Sequence, residues 1–209
     1  MTTGARDTIL PFALAEVAVH GFSDAALRAA AEKAGVNQAE LKAAFPNGGA
    51  SLVEAFSHWA DDRMAERMRD THYERTRERV AGAVKARLEV LVPYKDVARR
   101  AAAFLALPQN APLAASLGLR TVDLMWRAAG DRSSDFSYYT KRALLGGVYA
   151  ATLVHFLSDS SEGHADTWAF LESRIDDVMQ IEKFRGQARE WISKLPDPLG
   201  IFGSGGGRP

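Results

Sequence analysis

The run "ALLGGVYAATLVHFL", Ala143 to Leu157, constrains the fold more than any other stretch of the chain. Its 15 residues fall short of the roughly 20 that span a bilayer as a helix. It is nonetheless apolar almost all round, so it is expected to be a buried helix with several others packed about it. The full chain of 209 residues is long enough to supply them in one core. Alanine, leucine, arginine and glutamate dominate, glycine and proline fall between periodic segments, and no stretch alternates like a β-strand, so the fold class is all-α.

The pattern predicts about nine or ten helices. The first runs from about Asp7 to His20 and stops at Gly21; Asp24 caps a short helix ending before Gly35; Asn37 caps another that ends at Phe45-Pro46. A long helix is expected from about Ser51 to Asp70, then two between Tyr73 and Leu107 separated at Pro93. The next has Pro112 in its first turn and ends near Gly130. Two long helices follow Ser134 or Asp135 and Asp166. The divisions are residues 1–72, 73–182, an amphipathic segment 183–195 and a flexible tail 196–209, whose "GSGGG" lacks the strand and helix of a phosphate loop.

Composition excludes several functions. There is no cysteine, hence no disulfide, thiolate metal site or cysteine nucleophile, and 26 basic residues balance 26 acidic ones. The five histidines fall in no zinc-type spacing and no Glu-x-x-His pair occurs. Glu54 and His58, four apart, read as a surface ion pair, and His155 as a hydrogen-bonded core histidine. With no nucleophile elbow, Walker loop or dinucleotide fingerprint, the chain is expected to be neither an enzyme nor a cofactor protein. The opening residues lack signal-peptide and transit-peptide character, which favours a bacterial cytoplasm over a mitochondrial matrix.

Two segments are unusual. Gly146 and Gly147 stand together inside the apolar helix, where each glycine costs about 1 kcal/mol relative to alanine. Either a neighbouring helix crosses closely or a long flexible ligand lies there. Further along, "KFRGQAREWISKL" places Phe184, Trp191 and Ile192 on one face and Arg185, Arg189 and Lys194 elsewhere, with a net charge of +3 over 13 residues. That pattern suits a helix lying in a membrane interface, or one docking on its own domain or on a second subunit.

"ALRAAAEKAGVNQAELKAAFPNGGASLVEAF" resembles the helix-turn-helix of TetR-type regulators, with Ala34-Gly35-Val36 at the turn. The chemistry of a DNA reader is missing: residues 1–60 carry four cations and six acids, and the family's usual aromatic is replaced by Lys42. Asn37 and Gln38 are the only residues of "NQAELKAA" suited to reading adenine. A degenerate helix-turn-helix is therefore expected, the alternative being a TetR-type repressor that senses an apolar effector.

"VLVPY", "LALPQNAPLAAS", "VDLMWRAAGDRSSDFSYYTKRALLGGVYAATL" and "DSSEGHADTWAFLESRIDDVM" resemble, in order and spacing, the ubiquinone-biosynthesis accessory lipid-binding protein family with a TetR-like fold. The resemblance implies a non-enzymatic protein that binds an isoprenoid lipid or ubiquinone precursor in an apolar C-terminal helical bundle. It also implies presentation of that lipid to the di-iron demethoxyubiquinone hydroxylase at the membrane surface, and a homodimer. Lipid-lining residues are then expected among Leu117, Val122, Leu144, Gly147, Val148, Ala151, Phe156, Trp168, Leu171 and Ile175, and a hydroxylase-facing patch from Met125, Trp126, Asp135, Tyr138, Tyr139 and Arg142. Tyr138 departs from the tryptophan of eukaryotic members. The implied location is peripheral, on the cytoplasmic face of the inner membrane of a bacterium or on the matrix side of a mitochondrial one.

Overall fold

The structure is a computed structural model describing residues 4–130 and 136–178, with side chains from Tyr139 onward in the second stretch. Among these residues the elements are α1 (Ala5–His20), α2 (Asp24–Ala34), α3 (Gln38–Ala44), α4 (Gly49–Asp70), α5 (Thr76–Leu91), α6 (Lys95–Leu105), α7 (Ala111–Ala128) and α8 (Phe136–Ser158). A further helix, α9, covers residues 165–178. Single 3-10 turns at Val92–Tyr94 and Pro108–Asn110 sit where Pro93 and Pro108 deny the preceding helix its continuation. No strand occurs among the described residues.

Local chemistry explains most boundaries. Asn37 accepts from the amides of Ala39 and Glu40 while Glu40 accepts from the Asn37 amide, a reciprocal cap that starts α3. At α2 the cap is Ser23, whose hydroxyl accepts from Ala26 N at 3.4 Å, rather than Asp24, which is the first helical residue. Glu54 turns to Arg6 at 3.2 Å rather than to His58. Burial, with Arg120 beside it, holds the His58 imidazole below its ordinary range.

Helices α1 and α2 pack on α4, and α3 packs on α1 and α2; Ile9, Val17, Leu52 and Val53 are buried in this half. The second half of α4 packs on α5 and α7, so it forms a wall of the C-terminal bundle as well. Its contact there includes a buried ion pair: Arg87 Nε on α5 donates to Asp61 Oδ1 on α4 at 2.9 Å, and Thr121 Oγ1 on α7 donates to the same oxygen at 3.0 Å. Arg87 Nη2 also donates to the Ser57 carbonyl at 3.3 Å. Two charges this deep repay their desolvation only when further hydrogen bonds surround them; Thr121 and the Ser57 carbonyl supply these, while Arg87 Nη1 finds no partner among the described residues.

The helix carrying the longest apolar run is not buried on every side. Leu145, Val148, Thr152 and Phe156 of α8 face the core, whereas Ala143, Gly147, Ala150, Ala151 and Val154 face outward. These five fall on one stripe at helical spacing, and Val154 is 69% exposed. A side chain added at Gly147 would meet no atom within 4 Å, and at Gly146 only Val122 Cγ2 at 3.8 Å. Among the described residues, neither glycine is required by a close helix crossing.

Between α8 and α9 the Asp159 carboxylate accepts from Ser161 N at 2.7 Å, from Thr167 N at 3.0 Å and from Thr167 Oγ1. Burial pushes this carboxyl up most strongly, but the hydrogen bonds from Ser161 and Thr167 together outweigh it and hold the group well below the usual carboxylate range. Half-buried His155 stacks on Phe170 with ring centres 4.7 Å apart, which ties the start of α9 to the end of α8.

Candidate functional site

The C-terminal ends of α7 and α9 and the N-terminal ends of α5 and α8 meet around a cavity of about 360 Å³. Val80, Leu144, Leu145, Val148, Ile175 and Val178 give it an apolar interior, Trp126 forms a wall, and Arg77, Arg79 and Lys141 stand at its polar edge. Apolar walls with a few convergent polar groups describe a small-molecule site, and the volume lies at the lower end of the range for such sites. A second, larger groove of about 980 Å³ runs between the end of α4, α5 and α9, with Trp168, Leu171 and Tyr73 among charged residues.

The polar edge is built with care. Arg77 is held by Glu172 at 3.1 Å and Asp176 at 2.5 Å. Arg79 Nε donates to the Tyr73 carbonyl at 3.2 Å. The Tyr73 ring itself lies on Gly82, where a Cβ would stand 2.4 Å from the tyrosine hydroxyl oxygen. Trp126 Nε1 donates to the Lys141 carbonyl at 3.1 Å, and Lys141 Nζ lies 5.5 Å from the centre of the indole ring. Gly130, with φ at +85°, closes α7 in a conformation that only glycine adopts readily.

Of the ten residues expected to line a lipid site, Leu144, Val148 and Ile175 line the cavity, while Trp168 and Leu171 line the second groove. Leu117, Val122 and Phe156 are core residues. Gly147 and Ala151 point outward, because the α8 turn that buries Val148 and Thr152 rotates them to the opposite side. Arg79, Val80 and Trp126 line the cavity without having been expected to; all three sit at helix ends, where periodicity says least.

The expected partner patch divides in the same way. Tyr139 is 73% exposed and Trp126 half-buried, so both keep a face toward solvent. Met125 is fully buried, since α7 turns it toward α4 and α5, and corrects to a core residue. Arg142 is also buried: its Nε donates to Asp123 Oδ1 on α7 at 2.8 Å. Asp135 and the side chain of Tyr138 lie outside the described residues, as do Phe184, Arg185, Arg189, Trp191, Ile192 and Lys194 of the amphipathic segment.

The surface of the helix-turn-helix agrees with its charge count. The Asn37 side-chain oxygen is engaged in the α3 cap, Arg6 is paired with Glu54, and Lys33 with Glu16 at 2.5 Å. No helix among the described residues is long and apolar enough to cross a membrane.

Comparison with known proteins sets this geometry in a family. The COQ9 family model matches residues 111–182, which hold α7, α8, α9 and most of the cavity wall. The chain is 36% identical over 188 residues to the mitochondrial ubiquinone biosynthesis protein COQ9 of Drosophila melanogaster, covering 87% of this chain and 57% of that protein. It is 34% identical over 182 residues to the human protein of the same name, covering 83% of this chain and 57% of the relative. The chain thus spans a little over half the length of these relatives. Among solved structures, a TetR transcriptional regulator from Nitrosomonas europaea superposes with a TM-score of 0.66 at 22% identity, over 82% of this chain and 95% of the regulator. That likeness establishes the fold as TetR-like and nothing further. With the α7–α9 match and the relatives in agreement along most of its length, the chain belongs to the COQ9 family.

Proposed function

We propose that this protein is a non-catalytic accessory factor of ubiquinone biosynthesis, binding an isoprenoid lipid or quinone precursor between α5, α7, α8 and α9 and presenting it to the di-iron demethoxyubiquinone hydroxylase. The names of its relatives support the pathway. The observation that carries the binding step is the apolar cavity of about 360 Å³, walled by the segment that matches the family. A volume of this size holds a head group and the first part of a chain rather than a complete polyprenyl tail. Because a bilayer is already apolar, transfer of such a lipid gains little hydrophobic free energy, and the protein's role is presentation.

Tyr139 and the accessible face of Trp126 serve as aromatic anchors for the hydroxylase, the residue type that dominates interface energetics. The outward stripe of Ala143, Gly147, Ala150 and Val154 serves a homodimer, in which a second copy approaches the glycine backbone that no described helix of this chain approaches. Residues 183–195 serve as a membrane-interface helix. Native mass spectrometry of the gently purified protein tests the central claim: a co-purifying isoprenoid is expected, and a purely apo mass refutes it. Flotation with liposomes, with and without residues 183–209, tests the membrane contact.

A further inference from the structure

We infer that Arg79 makes the mouth of this cavity a receptor for the oxyanion end of an amphiphile, a carboxylate or phosphate on an apolar tail. The inference rests on the cavity being the lipid site proposed above and adds the chemistry of the head group. Three cations border the mouth, and they are not equivalent. Arg77 is engaged by two carboxylates, Glu172 and Asp176, so that cluster carries a net negative charge and attracts no anion. Lys141 lies over the Trp126 ring. Arg79 has no carboxylate partner among the described residues, and its one hydrogen bond there, from Nε to the Tyr73 carbonyl, leaves both terminal nitrogens directed elsewhere.

The guanidinium is held through Nε. Tyr73, whose carbonyl accepts from Nε, packs its ring on Gly82, where no side chain could fit. Gly130 lies beside Arg79 Nη1, at ordinary contact distance for a Cβ. The obvious domestic role for an arginine beside a helix C-terminus is to cap its carbonyls, yet no α7 carbonyl among the described residues accepts from Arg79.

A guanidinium whose third nitrogen is fixed presents two parallel N–H groups, a fork that matches a carboxylate or phosphate far better than the single acceptor of a ketone or alcohol. Val80, Val148 and Ile175 line the same cavity. The ligand that best satisfies both features carries an anionic head on an apolar tail, as an isoprenoid carboxylate or phosphate does; a neutral quinone would occupy the apolar part and leave the fork to a single acceptor.

Calorimetric titration of the full chain with dodecanoate, dodecyl phosphate, dodecanol and inorganic phosphate tests this. The two anionic amphiphiles are expected to bind about tenfold or more tighter than the alcohol. Arg79→Gln should erase that preference while leaving dodecanol affinity unchanged, and Arg79→Lys, which keeps the charge and loses the fork, should restore only part of it. Val148→Phe should abolish binding of all three tailed ligands. Equal affinity for the three in the unaltered protein, or a preference that survives Arg79→Gln, overturns the head-group assignment and leaves the cavity reading standing. Inorganic phosphate binding as tightly as dodecyl phosphate also overturns it, since the site would then be an ion site with no use for a tail. If no tailed ligand binds, or if Val148→Phe changes nothing, the cavity reading itself fails.

Discussion

Arg142 on α8 and Asp123 on α7 form a close pair, with Arg142 Nε donating to Asp123 Oδ1 at 2.8 Å and Nη2 2.7 Å from the same oxygen. Arg142 is buried one turn along α8 from exposed Tyr139 and next to Lys141, which lines the cavity with Trp126. Arginine at this position therefore braces the surface on which a partner would land instead of reaching out to it, and the two roles separate under mutation.

Arg142→Met should lower stability by about 2–3 kcal/mol, because it removes a buried guanidinium and its charge-assisted hydrogen bonds, although Asp123 keeps Arg127 at 2.7 Å. For a chain of this size that corresponds to a fall of roughly 5–10 °C in melting temperature. Tyr139→Ala should lower the melting temperature much less than Arg142→Met, since the residue is 73% exposed, and weaken capture of the hydroxylase in a pull-down. Normal capture by Tyr139→Ala would remove this residue from the proposed interface.

The Asp61–Arg87 pair tests the junction of the two halves. Arg87→Met alone should cost about 3–5 kcal/mol, since it leaves a fully buried carboxylate with only Thr121 and the more distant Arg120, whose Nε lies 3.7 Å from Asp61 Oδ2. Adding Asp61→Leu should recover most of the loss, because an apolar pair removes the desolvation cost together with the attraction. Chemical denaturation of the single and double variants measures the coupling, and additive losses would contradict it.

Asp159 governs acid sensitivity at the α8–α9 corner. Its folded carboxyl titrates below the ordinary value of 3.8, so its contribution to stability is complete above about pH 5 and is lost as pH falls through the folded titration range. The gap in melting temperature between the unaltered protein and Asp159→Asn should stay constant from about pH 7 to pH 5 and narrow below about pH 4. A gap that persists unchanged at low pH would show that the carboxylate form is not what Ser161 and Thr167 stabilise.

The outward stripe of α8 predicts a self-association that depends on small size. Gly147→Leu and Val154→Arg each place bulk or charge on a surface left open by the described residues, with nothing within 4 Å of a Cβ at Gly147 and Val154 69% exposed. Both should convert a dimer to a monomer in sedimentation velocity while leaving the helical circular dichroism signal intact. Retention of the dimer by both variants would place the contact elsewhere.

What the sequence determined by itself was everything set within a turn or two of helix. Spacing of apolar residues, the Asn37–Glu40 cap and the prolines at 93, 108 and 112 place the helices of an all-α chain and its helix-turn-helix, and the charge count already argued against a DNA reader. Such signals are local because capping and periodicity act between neighbours. Only the tertiary structure decided which side of α8 meets the core, that Met125 and Arg142 turn inward, and that Asp61 finds Arg87. It alone gathered Arg79, Trp126, Val148 and Ile175 around one cavity. Their proximity comes from four helix ends brought together by packing, and a helix that is apolar on every side carries no periodic mark of which face its neighbours will cover.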